Sequence, residues 1–258
     1  MADKTSSTSD ADAAFAGLLA DAEASTDVLG LWLGGSRGKG RQTARSDYDL
    51  GLVVGDGRQE VWRARLAALD GFDAQVFDRP GFAAYAAWGG PQAWDRYSFA
   101  HVRALIDRTG DIQTLIDAKA TIPPDEVAAF VDAALDRFVN QLYRACKCQR
   151  DGAALASRLE AAQAPDAFLD ALFALAGGRL RPYPKYLAWE LQEWPPVGAP
   201  WTGADILGLL DAALSPTPIT ALQTMLAGLE PMARAAGHAD VLDAWSDGLG
   251  LIRTFGAP

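Results

Sequence analysis

The chain changes its sequence pattern at two consecutive prolines, Pro123 and Pro124. Before them, short apolar runs of strand length alternate with helix-like stretches. After them, helical periodicity is interrupted by short loops rich in proline and glycine. This change predicts an α+β fold, with a small mixed β-sheet and helices in residues 11–120 and an all-α helical bundle in residues 121–258. We expect a cleft between the two domains, and a disordered leader in the polar residues 1–10.

Four strands are predicted in the first domain, bounded by glycine and aspartate turn signals. They cover Val28–Leu33, Tyr48–Val54, Phe72–Phe77 and Val102–Ile106. Helices are predicted there at 12–24 and 60–68. The helices predicted after the prolines cover Pro124–Gln149, Gly152–Ala162, Pro165–Ala176, Pro184–Glu193, Gly203–Ala213, Ile219–Ala236 and Ala239–Leu249.

The chain is acidic, since 23 Lys and Arg stand against 33 Asp and Glu in 258 residues, for a net charge of −10. Such a surface repels phosphate backbones, which argues against a nucleic-acid partner and favours a neutral or cationic small substrate. No apolar run approaches the ~18 residues of a membrane span, so we expect a cytoplasmic protein without a membrane partner. Cys146 and Cys148 lie two residues apart on a predicted helix, which excludes a disulfide framework and a metal knuckle.

The residues most suited to chemistry lie in the stretch LWLGGSRGKGRQTARSDYDLGLVV, residues 31–54. Gly34 and Gly35 follow the first strand and allow the backbone to approach a ligand closely. Ser36 offers a hydroxyl and a backbone N–H to a phosphate oxygen. This turn is therefore a candidate phosphate site.

Two carboxylates, Asp47 and Asp49, open the second strand. Side chains at i and i+2 of a strand point to the same face, so these two project together while Tyr48, Leu50 and Leu52 occupy the other face. Two carboxylates held this close repel each other unless a cation lies between them. A small set of hard oxygen ligands suits Mg²⁺ bound together with substrate phosphates.

The order of these features resembles the signature of the polymerase-β-like nucleotidyltransferase superfamily: strand, Gly-Ser turn, short gap, Asp-x-Asp and a further strand carrying an acid. The resemblance is specific over residues 31–54 and moderate out to about residue 120. It implies that the Gly-Ser turn holds a nucleoside triphosphate and that three carboxylates on neighbouring strands hold two Mg²⁺ ions.

The resemblance also implies that a later strand carries the third carboxylate. Asp73, near the start of the predicted strand Phe72–Phe77, is the first candidate. Asp78, on the opposite face of the same strand, is the alternative. Asp107 is less favoured because Asp107-Arg108-Thr109-Gly110 has ordinary turn chemistry.

A triphosphate also needs cations, and few basic clusters are available in this acidic chain. Four cations lie between the serine and Asp47: Arg37, Lys39, Arg41 and Arg45. In the helical part, Arg144 and Lys147 share a stripe with Asn140, and Lys185 lies in the tract RLRPYPKYL, residues 179–187. That tract resembles a Pro-Tyr-x-Lys segment in bacterial proteins that join this domain to a helical bundle, some of them antibiotic nucleotidyltransferases. We expect Arg45, Arg144, Lys147 and Lys185 to bind the nucleotide, against the alternative that the helical clusters are solvated basic turns.

These features and the resemblance predict a Mg²⁺-dependent nucleotidyltransferase. It would move a nucleoside monophosphate, AMP from ATP, to a hydroxyl of a small-molecule acceptor and release pyrophosphate. Asp47 and Asp49 would bridge both ions, and Asp73 would hold one ion and take the hydroxyl proton. A cationic acceptor, such as an aminoglycoside-like sugar, suits the acidic chain. The alternative is a nucleotide-binding regulatory or antitoxin-like module that acts on a partner protein.

Overall fold

The structure is a computed structural model that describes the backbone of residues 8–256 and the side chains of residues 10–256. The chain divides into two compact units, Met1–Thr121 and Ile122–Pro258, next to the predicted boundary between residues 120 and 121. The first unit combines a mixed sheet with helices and the described part of the second is helical, so the predicted α+β fold is confirmed. Most of the predicted leader lies outside the described residues. Residues 8–10 of the predicted leader instead begin a helix. The negative charge of Asp10 stabilises the first turn of that helix.

The sheet of the first unit has four strands. They are β1 (Val28–Leu33), β2 (Tyr48–Val54), β3 (Phe72–Phe77) and β4 (Ala104–Asp107). Their order is β3-β2-β1-β4, with β1 antiparallel to β2 and β4, and β2 parallel to β3. Strands β1 to β3 have the predicted bounds. The sequence predicts the fourth strand from Val102, but it begins at Ala104 because both backbone groups of Val102 bind outside the sheet. Its N–H donates to the Phe99 carbonyl at 3.3 Å, and its carbonyl accepts a hydrogen bond from the Gln113 side chain.

Helices cover both faces of this sheet. They are α1 (Thr8–Ala24), α2 (Gly35–Gly38), α3 (Gln59–Ala67), α4 (Arg79–Ala84) and α5 (Ile112–Lys119), with a 3₁₀ helix at Ala93–Phe99. One face of β2 buries Tyr48, Leu50 and Leu52 in a cluster with residues of α1 and α3. The other face buries Val53 with Trp32 in a cluster with residues of α4, α5 and the 3₁₀ helix. Because side chains alternate along a strand, Asp49 belongs to the second face.

The segment between β3 and β4 contains α4 and the 3₁₀ helix, which the sequence pattern does not predict. Glycine and proline are frequent there, so local propensity for helix is low. Tertiary contacts stabilise it instead: the ring of Phe82 lies 4.5 Å from that of Trp32. The buried guanidinium of Arg96 donates to backbone carbonyls of three further residues, Ala86, Ala118 and Thr121.

Lys119 is a second buried cation of this region, and its ammonium donates to the carbonyls of Ala83 and Tyr85 at 3.1 and 2.7 Å. Burial, reinforced by the nearby Arg96 charge, lowers the pKa of Lys119 from 10.5 to about 8. Between these pH values the unfolded chain binds a proton that the folded chain does not, so the contribution of Lys119 to stability rises with pH.

We therefore expect wild type to gain up to about 3 kcal/mol in unfolding free energy relative to Lys119→Met between pH 8 and pH 10.5. Urea unfolding of both proteins at each pH measures this difference, in which the ionisation of tyrosines and cysteines largely cancels. A constant difference across the window would contradict the lowered pKa.

The described part of the second unit consists of helices joined by short loops. They are α6 (Val127–Arg150), α7 (Ala154–Ala161), α8 (Ala164–Leu175), α9 (Pro184–Glu193), α10 (Gly203–Ala213), α11 (Ile219–Ala235), α12 (Ala239–Asp243) and α13 (Asp247–Thr254). The 24-residue α6 packs against α7, α8, α11, α12 and α13. The sequence predicts one final helix at 239–249. Two are present, because Ser246 adopts a φ of +45° that no helix accommodates.

Within residues 8–256, none of the helices combines the length and the apolar character needed to cross a lipid bilayer.

Candidate active site

The Gly-Ser turn begins where β1 ends. The N–H of Gly34 donates to the carbonyl of Asp49 at 2.7 Å, which joins the turn to β2. Gly35 has a φ of +53° and begins α2, and the N–H of Gly38 returns to the Gly34 carbonyl at 2.7 Å. The turn is therefore attached to the sheet at its first residue and folds back on itself around Ser36.

The carboxylate of Asp49 lies directly against Gly35. A Cβ atom on Gly35 would fall 1.6 Å from Oδ2 of Asp49 and 2.5 Å from its Cγ. The close contact and the positive φ each require glycine at this position. The Gly-Ser turn and one carboxylate of β2 therefore pack as a single feature.

The structure brings two of the three predicted carboxylates onto one face of neighbouring strands. Asp49 and Asp73 are register partners in the parallel pairing of β2 with β3, and register partners share a face of the sheet. Asp47 directly precedes β2, and its main-chain carbonyl accepts a hydrogen bond from Nε of Arg37 at 3.2 Å. Asp49 is half-buried, whereas Asp47 and Asp73 are exposed.

The alternative third carboxylate, Asp78, has a structural role. Its side chain caps α4 by accepting the N–H of Gly81 at 2.7 Å and also accepts from Nε2 of Gln59 at 3.1 Å. Asp107 accepts the N–H groups of Gly110 and Gln113 at 2.7 and 3.1 Å, in line with its turn chemistry. Both carboxylates accept backbone N–H groups of residues that follow them in the chain, which favours Asp73 as the third candidate.

Tyr85 senses the charge of Asp73 and forms hydrogen bonds with Gln75 and Asp95, and the sequence pattern singles out none of these three polar residues. The Tyr85 hydroxyl donates to Oδ2 of Asp95 at 2.8 Å, and the Tyr85 ring lies 5.0 Å from that of Phe77. Burial and the hydrogen bond to Asp95 raise the pKa of Tyr85, a hydrogen bond from Gln75 lowers it, and the charge of Asp73 raises it. Strand alternation could have pointed to Gln75, two residues after Asp73. Tyr85 and Asp95 lie in the segment for which the sequence predicts no element.

The structure places two of the four cations that follow the turn, Arg37 and Lys39, against groups of the first unit. Arg37 donates to the carbonyls of Ser46 and Asp47 and to Oδ1 of Asp12, each at 3.2 Å, with its guanidinium 3.9 Å from the centre of the Tyr48 ring. Its charge is therefore engaged within the first unit.

Lys39 is only 7% exposed, and its ammonium donates to backbone carbonyls at the end of the 3₁₀ helix. They belong to Tyr97 at 3.5 Å, Ser98 at 3.1 Å and Ala100. Lys39 is therefore not placed to meet a phosphate. Arg41 and Arg45 are exposed.

Each predicted nucleotide-binding cation of the helical unit lies beside another side chain of that unit, either a carboxylate or an aromatic ring. Arg144 forms an ion pair with Glu160 at 2.5 Å. The ammonium of Lys147 lies 5.2 Å from the ring centre of Tyr143, and that of Lys185 lies 4.8 Å from the ring centre of Tyr186. All three cations are exposed.

Two other cations of the 179–187 tract serve the helical unit itself. Arg179 pairs with the buried Glu190 at 2.7 Å, and Arg181 bridges Asp166 and Asp170 at 2.6 and 2.9 Å. The tract therefore has a structural function in addition to any binding role of Lys185.

The carboxylates suit Mg²⁺ by their chemistry, because this ion prefers hard oxygen donors and binds few protein carboxylates together with phosphate oxygens. Asp49 and Asp73 supply two such groups from paired positions. Because Gly35 has no Cβ, the Asp49 carboxylate has room to lie beside the turn. Within residues 10–256, no group of three or more His, Cys, Asp or Glu side chains is arranged to hold a metal ion. A metal here would therefore rely on substrate oxygens as well as on these carboxylates.

No protein-family model and no curated protein matches the sequence. Among solved structures, the chain is similar to a nucleotidyltransferase-like protein from Exiguobacterium sibiricum, with 11% identity and a TM-score of 0.45. The match covers 90% of this chain and 78% of that one.

Proposed function

We propose that the chain is a Mg²⁺-dependent nucleotidyltransferase that moves AMP from ATP to a hydroxyl of a small-molecule acceptor and releases pyrophosphate. The observation that carries this proposal is the packing of the Gly-Ser turn against Asp49, whose register partner is Asp73. A turn suited to phosphate and carboxylates on adjacent strands are parts that such a transfer needs, and Asp47 would supply the third carboxylate. The proposal rests on these residues and on their resemblance to the superfamily signature.

In this mechanism, Gly34 and Gly35 let the triphosphate approach the backbone, and Ser36 donates a hydrogen bond to a phosphate oxygen without acting as a nucleophile. Asp47, Asp49 and Asp73 would hold Mg²⁺, which when bound neutralises charge on the reacting phosphate and the leaving group. Asp73, which is exposed, would take the proton of the acceptor hydroxyl as that oxygen attacks the α-phosphorus and the bond to pyrophosphate breaks.

The remaining parts of the proposal concern charge. Arg45 of the first unit is exposed and is proposed to bind a phosphate group of the nucleotide. The net charge of −10 and the two carboxylates that interact with Tyr85, Asp73 and Asp95, support a cationic acceptor.

An acceptor screen tests the proposed function. The purified protein is incubated with Mg²⁺ and ATP labelled at the α-phosphate, together with aminosugars, neutral sugars and nucleosides in separate reactions. We expect labelled acceptor and an equal amount of pyrophosphate in at least one reaction, and neither product when EDTA removes the metal. Binding of ATP without pyrophosphate release across the panel would favour the regulatory-module alternative.

A pair of substitutions on and next to β3 separates the two candidate third carboxylates. Asp73→Asn is expected to abolish transfer with little change in stability, because the side chain is exposed. Asp78→Ala is expected to retain transfer but to lose about 1 kcal/mol of unfolding free energy, because α4 loses its N-cap. Pyrophosphate release and urea unfolding measure the two effects. An inactive Asp78→Ala beside an active Asp73→Asn would show that the site uses the opposite face of β3.

A further inference from the structure

We infer that Lys39 is a positioning residue: its ammonium, held at the carbonyl end of the 3₁₀ helix, fixes the shape of the Gly-Ser turn and thereby the affinity of the turn for a triphosphate. The second half of this inference rests on the proposed function. The first half concerns the free protein and stands by itself.

The turn needs an external anchor because α2 has only four residues. A single helical turn is unstable by itself, since fixing its backbone costs more than its few hydrogen bonds return. The bond from Gly34 to β2 holds the first residue of the turn. Lys39 immediately follows α2 as its C-cap, and its N–H donates to the Gly35 carbonyl at 3.3 Å. An anchor at Lys39 therefore acts directly on the far end of the turn.

The side chain of Lys39 supplies that anchor. Its ammonium is buried among the carbonyls of residues 97, 98 and 100, 58 to 61 positions away in the chain. The backbone leaves this point with His101 at a φ of +62°, a conformation that residues other than glycine rarely adopt. Burying a charge is unfavourable, and an apolar side chain would fill the same space without that cost. The retained ammonium joins the turn to the segment that carries Asp95.

Lys119 offers a matched control, because it is another buried lysine of the same unit whose ammonium donates to backbone carbonyls. Its partners belong to α4 and the residue after it, and neither is in the Gly-Ser turn. Lys39→Met and Lys119→Met therefore make the same chemical change, but only the first removes the anchor of the turn.

Hydrogen exchange of the ligand-free proteins tests the anchor, followed through the amides of residues 38–41, whose bonds close the turn. We expect these amides to exchange about tenfold faster in Lys39→Met than in wild type and unchanged in Lys119→Met. Calorimetric titration of each protein with ATP in the presence of Mg²⁺ measures the affinity for ATP. We expect ATP to bind about tenfold more weakly to Lys39→Met than to wild type, and with unchanged affinity to Lys119→Met.

Unchanged exchange at residues 38–41 in Lys39→Met overturns the inference, whatever the ATP affinity. A Lys39→Met protein that does not fold also overturns it, because the ammonium would then serve the whole unit and not the turn. Faster exchange in Lys39→Met, in a protein whose wild type binds no ATP, supports the anchor and overturns the proposed nucleotide function. Addition of ethylammonium to Lys39→Ala provides a further check, since refilling the carbonyl site is expected to restore slow exchange while tetramethylammonium, which has no N–H, does not.

Discussion

Replacing Asp49 by asparagine is expected to abolish AMP transfer while leaving the fold intact. The substitution removes one negative charge beside the Gly-Ser turn but keeps the size and shape of the side chain. Because Asp49 and Asp73 are register partners, it also removes a like-charge repulsion across β2 and β3, so stability at low Mg²⁺ is expected to stay the same or rise slightly. Asp47→Asn is expected to have the same effect on transfer. Pyrophosphate release and urea unfolding measure the two quantities.

Asp56→Asn provides the control, because Asp56 is exposed and lies just beyond the other end of β2. It makes the same change of charge next to the same strand and is expected to leave transfer unchanged. If both Asp47→Asn and Asp49→Asn retain more than about a tenth of the wild-type kcat, the barrier has risen by less than ~1.4 kcal/mol and the metal assignment is wrong.

Gly35→Ala is expected to reduce both the transfer activity and the stability of the protein. The added methyl would overlap the Asp49 carboxylate, and the backbone would have to keep a φ of +53° that alanine disfavours. The carboxylate must therefore leave its place beside the turn. We expect at least about a hundredfold loss of transfer, corresponding to ~2.7 kcal/mol in the barrier, together with a lower unfolding free energy.

Gly40 separates the two causes of this loss. It also has a positive φ, of +65°, but a Cβ there would meet no atom within 4 Å. Gly40→Ala therefore reports backbone strain alone, which is about 1–2 kcal/mol for an L-residue in this region. If Gly35→Ala loses no more stability and no more activity than Gly40→Ala, the contact between Gly35 and Asp49 contributes to neither. Gly35→Ala combined with Asp49→Ala is expected to recover stability but not transfer.

Several parts of the fold could be predicted from local pattern. Strands β1, β2 and β3 have the predicted bounds because each is a short apolar or alternating run ended by glycine or aspartate, and these signals act within a few residues. Helices α9 and α10 also have the predicted bounds, Pro184–Glu193 and Gly203–Ala213. A proline begins α9, and a capping threonine followed by a glycine begins α10. The Gly-Ser turn before Asp-x-Asp is likewise a feature that the local sequence predicts.

Other features depend on partners that are distant in the chain. Nothing near Asp73 indicates which residue of β2 lies beside it, since strand register is set by the pairing of two separated segments. Helix α4 and the 3₁₀ helix form in a segment of low helix propensity because Trp32 and Lys119 supply packing and hydrogen bonds from elsewhere. Arg96 of the 3₁₀ helix adds hydrogen bonds to the carbonyls of Ala118 and Thr121, which lie beyond the segment.

The basic residues after the Gly-Ser turn show most directly which features follow from the sequence and which depend on the tertiary structure. The sequence by itself determined that a cluster of basic residues follows the Gly-Ser turn, because that is a matter of composition and spacing. Only the tertiary structure decided that Lys39 turns inward to carbonyls 58 to 61 residues away, while Arg45 stays exposed. A charged side chain goes where its desolvation is compensated, and for Lys39 the compensating carbonyls exist only once the 3₁₀ helix has packed against the sheet.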